Sequence, residues 1–233
     1  MTRFARSFAL VLALGSSTLG SSTAHAQDQS EFQLWGALLS TAHVSSNTPR
    51  LAFWLDIHAR RGEAGTVHIF RPGVGLVVND WLSLWAGYAW VPVFTDGAGR
   101  RDEHRLWQQV ILGTKAWDFT FQSRTRFEQR FAEGGDEVGF RIREFVRVNW
   151  QPNERNPLGI AIWDELFLGF NDTDWGAPAG FDQNRLFVGP FLQAAPWARL
   201  EIGYLFVYLD RMPNVRAHVL AINLFINAKP ASD

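Results

Sequence analysis

The 233-residue chain contains no cysteine, which excludes a disulfide framework and any cysteine-ligated metal site. After residue 26 it has no run of 18 apolar residues, so it lacks the pattern of a helical membrane protein. Lysine is scarce too: Lys115 and Lys229 are the two lysines among 22 basic residues, and the others are arginine. A net charge of -1 provides no overall positive field, so no nucleic-acid partner is expected.

Aromatic residues, by contrast, are abundant. The chain has 11 Trp and 19 Phe, and 47% of its residues are hydrophobic, which is too apolar for a disordered protein. Its mean hydropathy is nevertheless close to zero, at -0.09. We therefore expect the chain to form two opposed surfaces, one aromatic and one polar.

The first 26 residues have the pattern of a secretory signal peptide. Two arginines precede an apolar stretch at 7–15, and residues 24–26 have the small-x-small form that signal peptidase requires. This stretch is far shorter than the roughly 20 residues of a membrane-spanning helix, which disfavours an N-terminal anchor. We predict cleavage before Gln27, export from the cytoplasm, and one domain over 27–233.

Apolar and polar residues alternate along most of the mature chain, which is the period of strands with two different faces. In 119–131, phenylalanines share one parity, whereas arginines and Glu128 occupy the other. Most of the alternating segments have about 12 residues, a length that suits strands crossing a bilayer at a tilt. The segments are 31–42, 50–61, 66–78, 81–94, 103–115, 119–131, 138–150, 158–170, 183–195, 198–210 and 214–227.

Short and long connections alternate between these segments. The tight turns are predicted at 79–80, 117–118 and 196–197 with a modest polar one at 151–157, and the longer polar loops at 95–102, 132–137 and 171–182. Outer-membrane barrels typically have short turns on the periplasmic side and long loops outside. We therefore predict an all-β fold, a closed antiparallel up-and-down transmembrane β-barrel in the outer membrane of a Gram-negative cell.

The strand count follows from a general rule about such barrels. They normally have an even number of strands, with both termini in the periplasm. Under that rule one of the segments before 66–78 is misread or split. We predict 12 strands, with 10 as the alternative.

Alternation alone leaves open which face is buried. In a soluble sandwich the phenylalanine face would be the core, whereas in a membrane barrel it meets lipid and the arginine face lines the lumen. Aromatic residues near strand ends favour the barrel, because such residues form girdles at the membrane interfaces. They are Trp81, Trp90, Trp117, Trp150, Trp197 and Tyr208.

The predicted lumen carries a series of charged and polar side chains, which we call the charge ladder. Its members are Glu103, Arg105, Gln109, Arg124, Arg126, Glu128, Arg130, Arg141, Arg143, Arg147, Glu165 and Arg185, and the same parity includes Asp56, His58, Arg60 and Arg71. Adjacent strands place such groups opposite one another, and a guanidinium can hold a carboxylate by two hydrogen bonds. Two interpretations remain: ion pairs that plug a narrow lumen, or an electropositive stripe for an anionic solute or lipid headgroup.

The order and spacing of several short motifs resemble the bacterial domain-of-unknown-function family 2490. The motifs lie at 103–109, 124–130, 141–143, 164–167, 183–185 and 203–204, together with Asn171, Gly189 and His218. The resemblance covers about residues 31–227 and implies an outer-membrane β-barrel without an assigned reaction or transported substrate. One departure is that the chain continues after Phe225, although barrel-insertion machinery usually reads a C-terminal aromatic residue.

Catalytic and metal-binding residues are not evident. The histidines of the mature chain form no nucleophile–base signature, and Ser83 and Ser123 have no evident partner; these histidines are His43, His58, His68, His104 and His218. Asp56 with His58, or the loop acids Asp172, Asp174 and Asp182, could hold a cation but lack a spaced ligand series. Gly73-Val-Gly75 does not precede a helix, so it is no phosphate-binding loop.

These observations favour a non-enzymatic membrane protein without metal or cofactor. We predict a narrow channel or solute-interacting pore with an Arg/Glu-lined interior. The expected partners are outer-membrane lipid, barrel-insertion machinery and a small anionic solute. Two alternatives remain: a lipid-modifying or hydrolytic outer-membrane enzyme, and a structural envelope protein with a plugged lumen.

Overall fold

Strands make up most of the described chain. The computed structural model describes residues 28–43, 50–153 and 155–228, so the predicted signal peptide lies outside the described residues. The strands are β1 (Gln29–His43), β2 (Leu51–Gly62), β3 (Gly65–Asn79), β4 (Leu82–Thr95), β5 (Gly99–Ala116), β6 (Phe119–Ala132), β7 (Gly139–Trp150), β8 (Leu158–Gly169), β9 (Gly180–Ala195), β10 (Ala198–Leu209) and β11 (Val215–Ala228). No helix in the described ranges is long and apolar enough to cross a membrane.

The eleven strands close into one barrel. Each strand pairs antiparallel with its neighbours in sequence, and β1 pairs with β11 in parallel, from Gln29 opposite Val215 to Ala42 opposite Ala228. The all-β barrel is thus confirmed, whereas the predictions of 12 strands or 10 are wrong. Every predicted segment is a strand, so the error came from the rule of an even count.

The physical reason for this difference lies in what closure requires. An odd number of up-and-down strands leaves the first and last running in the same direction, and a parallel ladder pairs their open edges. As a result, β1 begins at one end of the barrel and β11 finishes at the other. The prediction that the chain enters and leaves the barrel on the same side is therefore also wrong.

The two ends of the barrel differ in their connections. At the turn end, three hairpins are joined by residues 80–81, 117–118 and 196–197. At the loop end, the β6–β7 and β8–β9 connections cover 133–138 and 170–179. These connections match the predicted tight turns and two of the three predicted longer loops, whereas the β2–β3 connection at the loop end covers 63–64 alone.

The long loop predicted at 95–102 is wrong. Residues 96–98 alone connect β4 to β5, and Arg100 lies opposite Phe94 in the hairpin. Charged residues continue the strand register past the apolar part of the hairpin, so polarity did not mark the end of the strand.

The outer surface of the barrel is apolar. Large hydrophobic side chains point outward from every strand, and Phe53, Ile162 and Leu220 are 54%, 49% and 41% exposed. Charged side chains of the opposite parity are buried, which is the inverse of a soluble sandwich. The predicted girdle residues lie at strand ends or in turns, with Trp81, Trp117, Trp150 and Trp197 at the turn end and Trp90 and Tyr208 toward the loop end.

Two apolar clusters fill part of the interior. One joins β8 to β11 through Phe187 and Leu205, and the other joins β2 to β5 around Trp107. Gly73 and Gly87 make room for Trp107, because a Cβ at either position would lie 2.5 Å from its ring. The two strands that join neither cluster, β6 and β7, carry a dense set of buried charges.

Candidate functional site

A network of ion pairs lines the lumen along β5 to β9. The structure places the twelve ladder residues on the inner side of these strands, namely Glu103, Arg105, Gln109, Arg124, Arg126, Glu128, Arg130, Arg141, Arg143, Arg147, Glu165 and Arg185. They alternate with outward apolar residues because successive side chains of a strand point to opposite faces.

Glu128 on β6 is fully buried and holds two arginines of β7. Its Oε2 lies 2.6 Å from Arg141 Nη2, and its Oε1 lies 2.8 Å from Arg143 Nη1. These are charge-assisted hydrogen bonds between buried groups, which are strong because little water competes for them. The carboxylate therefore fixes the positions of both guanidinium groups.

Glu165 on β8 continues the network along the inner face of neighbouring strands. Its Oε1 lies 2.6 Å from Arg124 Nη2 and 2.7 Å from Arg143 Nη2, and its Oε2 lies 3.7 Å from Arg185 Nη1. Arg143 thus bridges Glu128 and Glu165. One connected set of charges ties β6, β7, β8 and β9 together.

Three acids outside the ladder form further ion pairs. Arg71 Nη1 donates to Asp56 Oδ2 at 2.9 Å, and Asp182 pairs with Arg141 and Arg211 at 2.9 and 2.6 Å. Glu201 on β10 pairs with Arg147 and Arg199. Glu201 was not among the site residues predicted from the sequence, although it shares the parity of Arg199 in the segment 198–210.

Among the lumen-facing arginines that the structure describes, two have no acidic partner. Arg126 is fully buried, donates to Gln109 Oε1 from Nε and Nη2 at 2.8 and 2.6 Å, and lies over the ring of Trp107. Arg60 lies over the ring of Trp35, with its Cζ 4.1 Å from the ring centroid. Burying a guanidinium without a carboxylate is costly, so both positions favour an anion.

A cavity of about 420 Å³ lies between the ladder and the wall formed by β1, β10 and β11. It extends from Thr41 and Asn227 near the turn end to Arg60 and Arg185. Its basic lining consists of Arg60, Arg71, Arg124, Arg143, Arg147, Arg185 and Arg199, and its acidic lining of Asp56 and Glu165. The cavity therefore presents an excess of positive charge.

A second cavity, of about 270 Å³, opens from the loop end, where it is lined by Gly65 and Thr95. Trp35, Arg60 and Arg185 line both cavities. The Arg185 Cζ also lies over Trp35, 5.0 Å from the ring centroid. We call these three residues the junction, since the two cavities adjoin there. Arg126 lines neither cavity.

The β8–β9 loop folds over the loop end of the ladder. The backbone N–H groups of Asp136 and Glu137 donate to the Asp174 carboxylate at 2.8 and 3.3 Å, and Trp175 Nε1 donates to Glu137 O at 2.8 Å. The bond from Asp136, followed by that from Glu137, lowers the pKa of Asp174 below its usual range. The Arg130 Cζ lies 4.9 Å from the Trp175 ring centroid, so the loop covers the end of the ladder.

The loop acids that could hold a cation are engaged in other contacts. Asp172 Oδ1 accepts from Ala179 N at 2.9 Å, Asp174 anchors the β6–β7 connection, and Asp182 pairs with two arginines. Asp56 is 3.8 Å from His58 Nε2 but is bonded to Arg71. Within the described residues, no group of three or more His, Asp or Glu side chains has an arrangement suited to a metal ion.

The candidate catalytic residues are dispersed over the barrel. His58 faces the lumen, whereas His104 bonds to Tyr88 and His218 bonds to Tyr204 on the outer surface. His68 packs edge-on against Phe94, and His43 lies at the end of β1. Ser83 accepts from Trp85 Nε1, and Ser123 donates to Glu144. The structure therefore brings none of these serines together with one of these histidines.

Some outward polar groups are paired with one another. Glu144, which interrupts the apolar row of β7, accepts from Ser123 Oγ at 2.7 Å and from Thr125 Oγ1 at 2.5 Å. Asn184 Nδ2 donates to Asp164 Oδ1 at 2.9 Å. Such mutual pairing is what an apolar surrounding requires, because unsatisfied polar groups there are costly.

Three solved structures have partial similarity to this fold. NanC porin gives a TM-score of 0.47 at 12% identity, over 78% of this chain and 90% of that one. LpxR from Salmonella typhimurium gives 0.42 at 8% identity, over 72% and 85%. A loop-deletion mutant of OmpT, an outer membrane protein of Vibrio cholerae, gives 0.40 at 14% identity, over 67% of this chain and 56% of that chain. Scores at this level support no inference about function.

Sequence comparison identifies the family. An uncharacterized protein of Methylorubrum extorquens is 39% identical over 170 residues, which cover 68% of this chain and 71% of that protein. The profile described as "protein of unknown function (DUF2490)" matches residues 32–218. This match includes most of the barrel and the entire ladder, and the chain therefore belongs to the DUF2490 family.

Proposed function

We propose that the chain is an outer-membrane β-barrel whose lumen forms a narrow, anion-selective passage. The observation that carries this proposal is the pair of cavities that reach from opposite ends of the barrel to the junction at Trp35, Arg60 and Arg185. A solute that crosses the lumen must pass the two guanidinium groups. Their charge favours anions over cations of the same size.

The apolar exterior and the strand-end tryptophans support placement in the outer membrane, with lipid around the strands. The loop end then faces outward and the turn end faces the periplasm. Cell fractionation tests this placement: the protein should sediment with outer membranes, need detergent for extraction, and begin at Gln27. Recovery of the folded protein in buffer without detergent contradicts it.

Planar-bilayer recording tests the passage itself. Purified protein in a KCl gradient should give single-channel currents whose reversal potential indicates preference for chloride. The double variant Arg60→Gln with Arg185→Gln should reduce that preference, because both junction charges are removed. Arg61→Gln is the matched control, since this neighbour of Arg60 lies outside both cavities and pairs with Asp96 at the loop end.

Two results would contradict the proposal. If folded protein carries no current, the ion-pair network closes the lumen and the barrel has no continuous passage. If the current has the same reversal potential in the wild type and the junction double variant, the arginines do not set selectivity.

A further inference from the structure

We infer that the 420 Å³ cavity binds a compact organic monocarboxylate that has an apolar, preferably aromatic, body. Its carboxylate would lie at Arg60 and Arg185, and its body would extend toward the turn end. This inference rests on the proposed anion-binding lumen and names the class of anion.

The polar end of the site has hydrogen-bond donors without acceptors. The Nε atoms of Arg60, Arg71 and Arg185 are buried and have no hydrogen-bond partner within the described residues. Arg71 and Arg185 are also more than nine-tenths buried, and all three residues line the cavity. A carboxylate can accept two or more such bonds, and charge-assisted bonds of this kind are the strong ones.

The charge of the ligand follows from the existing pairs. Arg71 is neutralised by Asp56, and Arg185 shares Glu165 with two other arginines. Arg60 has no carboxylate partner among the described residues and contacts Trp35 instead. One added negative charge at the junction balances Arg60 and supplements the shared Glu165.

Part of the cavity is apolar and is poorly suited to a small inorganic anion. On β1, β10 and β11 this apolar lining consists of Ala37, Leu39, Leu205 and Ala221. The rings of Trp54, Trp85, Phe145 and Trp163 add aromatic surface to the lining. An apolar body removes this surface from water, which chloride or phosphate cannot do. The volume is at the small end of the roughly 300–1,000 Å³ of ligand sites, which favours a compact acid.

Binding is best measured on the full chain reconstituted in lipid nanodiscs, by isothermal titration calorimetry. The probe is 3-phenylpropionate, with 3-phenylpropionamide as the neutral isostere and phosphate as the anion without an apolar body. We expect 3-phenylpropionate to bind at least about tenfold more tightly than either compound, since the amide lacks the negative charge and phosphate lacks the apolar body. Equal binding of the amide, equal binding of phosphate, or no binding of 3-phenylpropionate overturns the inference.

Variants separate the two halves of the site. Arg60→Gln should weaken 3-phenylpropionate at least about tenfold, whereas Arg61→Gln should leave its affinity unchanged. Ala37→Phe fills the cavity on the apolar side and should abolish binding while the arginines remain. Heat-modifiable migration on gels verifies that each variant folds. Unchanged affinity in both Arg60→Gln and Ala37→Phe places the ligand elsewhere and overturns the inference.

Failure of this inference is distinguishable from failure of the passage. If chloride-selective currents occur but 3-phenylpropionate binds no better than phosphate, the passage is retained and the ligand class is wrong. If 3-phenylpropionate binds as expected but no current is seen, the site is retained and the barrel is a binding protein without a continuous passage.

Discussion

The guanidinium of Arg60 lies over the indole ring of Trp35, with 4.1 Å between its Cζ and the ring centroid, and the two residues are also opposite each other in the β1–β2 register. The ring face attracts the cation and offsets part of its desolvation. Pairing in register holds both side chains at one level of the lumen, where the two cavities adjoin.

The first prediction concerns this ring. Trp35→Leu should raise single-channel conductance, because it removes bulk at the junction and releases Arg60 from its stacked position. Trp163→Leu is the control, because Trp163 lines the larger cavity but not the second one. A conductance that is unchanged in Trp35→Leu, or raised equally in Trp163→Leu, would place the constriction elsewhere.

The second prediction contrasts two buried charges on β6. Glu128→Gln leaves Arg141 and Arg143 without their shared carboxylate and should destabilise the barrel by about 3–5 kcal/mol. Arg126→Met removes a buried charge that has no acidic partner among the described residues, and should leave stability equal or higher. Urea unfolding in lipid vesicles, followed by gel migration, measures both. A greater loss in Arg126→Met than in Glu128→Gln would refute this account of the ladder.

The third prediction concerns the space for Trp107. A Cβ at Gly87 would lie 2.5 Å from the ring and 2.3 Å from the carbonyl oxygen of Pro72. Gly87→Ala should therefore cost about 1–3 kcal/mol, as overpacking of a core does. Gly113→Ala is the control, because its Cβ would meet nothing closer than 3.7 Å. The same urea unfolding experiment measures the stability of both variants. Equal stability of the two would contradict the close packing of Trp107 against Gly87.

The fourth prediction tests the parallel closure. Because the chain has no cysteine, a pair introduced as Ala37→Cys with Asn223→Cys is its sole thiol pair, and these positions are opposite in register. They should form a disulfide on oxidation, since such a bond needs Cα atoms within about 7 Å. Ala37→Cys with Ala217→Cys is out of register by about 20 Å and should remain reduced. Absence of the first cross-link in folded protein would indicate another strand between β1 and β11.

The fifth prediction concerns pH and the β8–β9 loop. Backbone N–H groups lower the pKa of Asp174 in the folded state. The stabilisation of the loop by this carboxylate is therefore complete above the ordinary pKa of 3.8, and it is lost as the pH falls through the lower pKa of the folded state. Hydrogen exchange of 133–138 should therefore increase as the pH is lowered through this range, after correction for intrinsic rates. Asp174→Asn should show the increased exchange already at neutral pH. Equal protection in the variant and the wild type at pH 7 would contradict the role of this carboxylate.

The strands could be predicted because alternation with period two is a local property. Each segment from 31–42 to 214–227 has its own apolar face, which can be recognised from the residues of that segment alone. The strand count could not be predicted from a rule about other barrels. It depends on whether β1 and β11 meet, and their register is a long-range property that the pattern of either strand does not contain.

For the site, the lumen-facing residues could be predicted from the sequence, whereas their contacts could not. Parity assigned Arg124 and Glu165 to the same face, but their contact joins β6 to β8 over the intervening β7. Sequence neighbours cannot specify such a pair, because it depends on the curvature of the barrel. The cavities were not predicted either. They arise where small residues such as Ala37 and Ala221 face long arginines across the lumen.

The seam between β1 and β11 also determines when the molecule becomes a barrel. Thr41 Oγ1 donates to Asn227 Oδ1 at 2.7 Å across 186 positions of sequence, which is most of the length of the barrel from β1 to β11. Loop-closure entropy increases with this separation, so the seam forms after the local hairpins. A chain that stops before β11 is consequently an open sheet with two unpaired edges, exposed to aggregation, and not a smaller barrel.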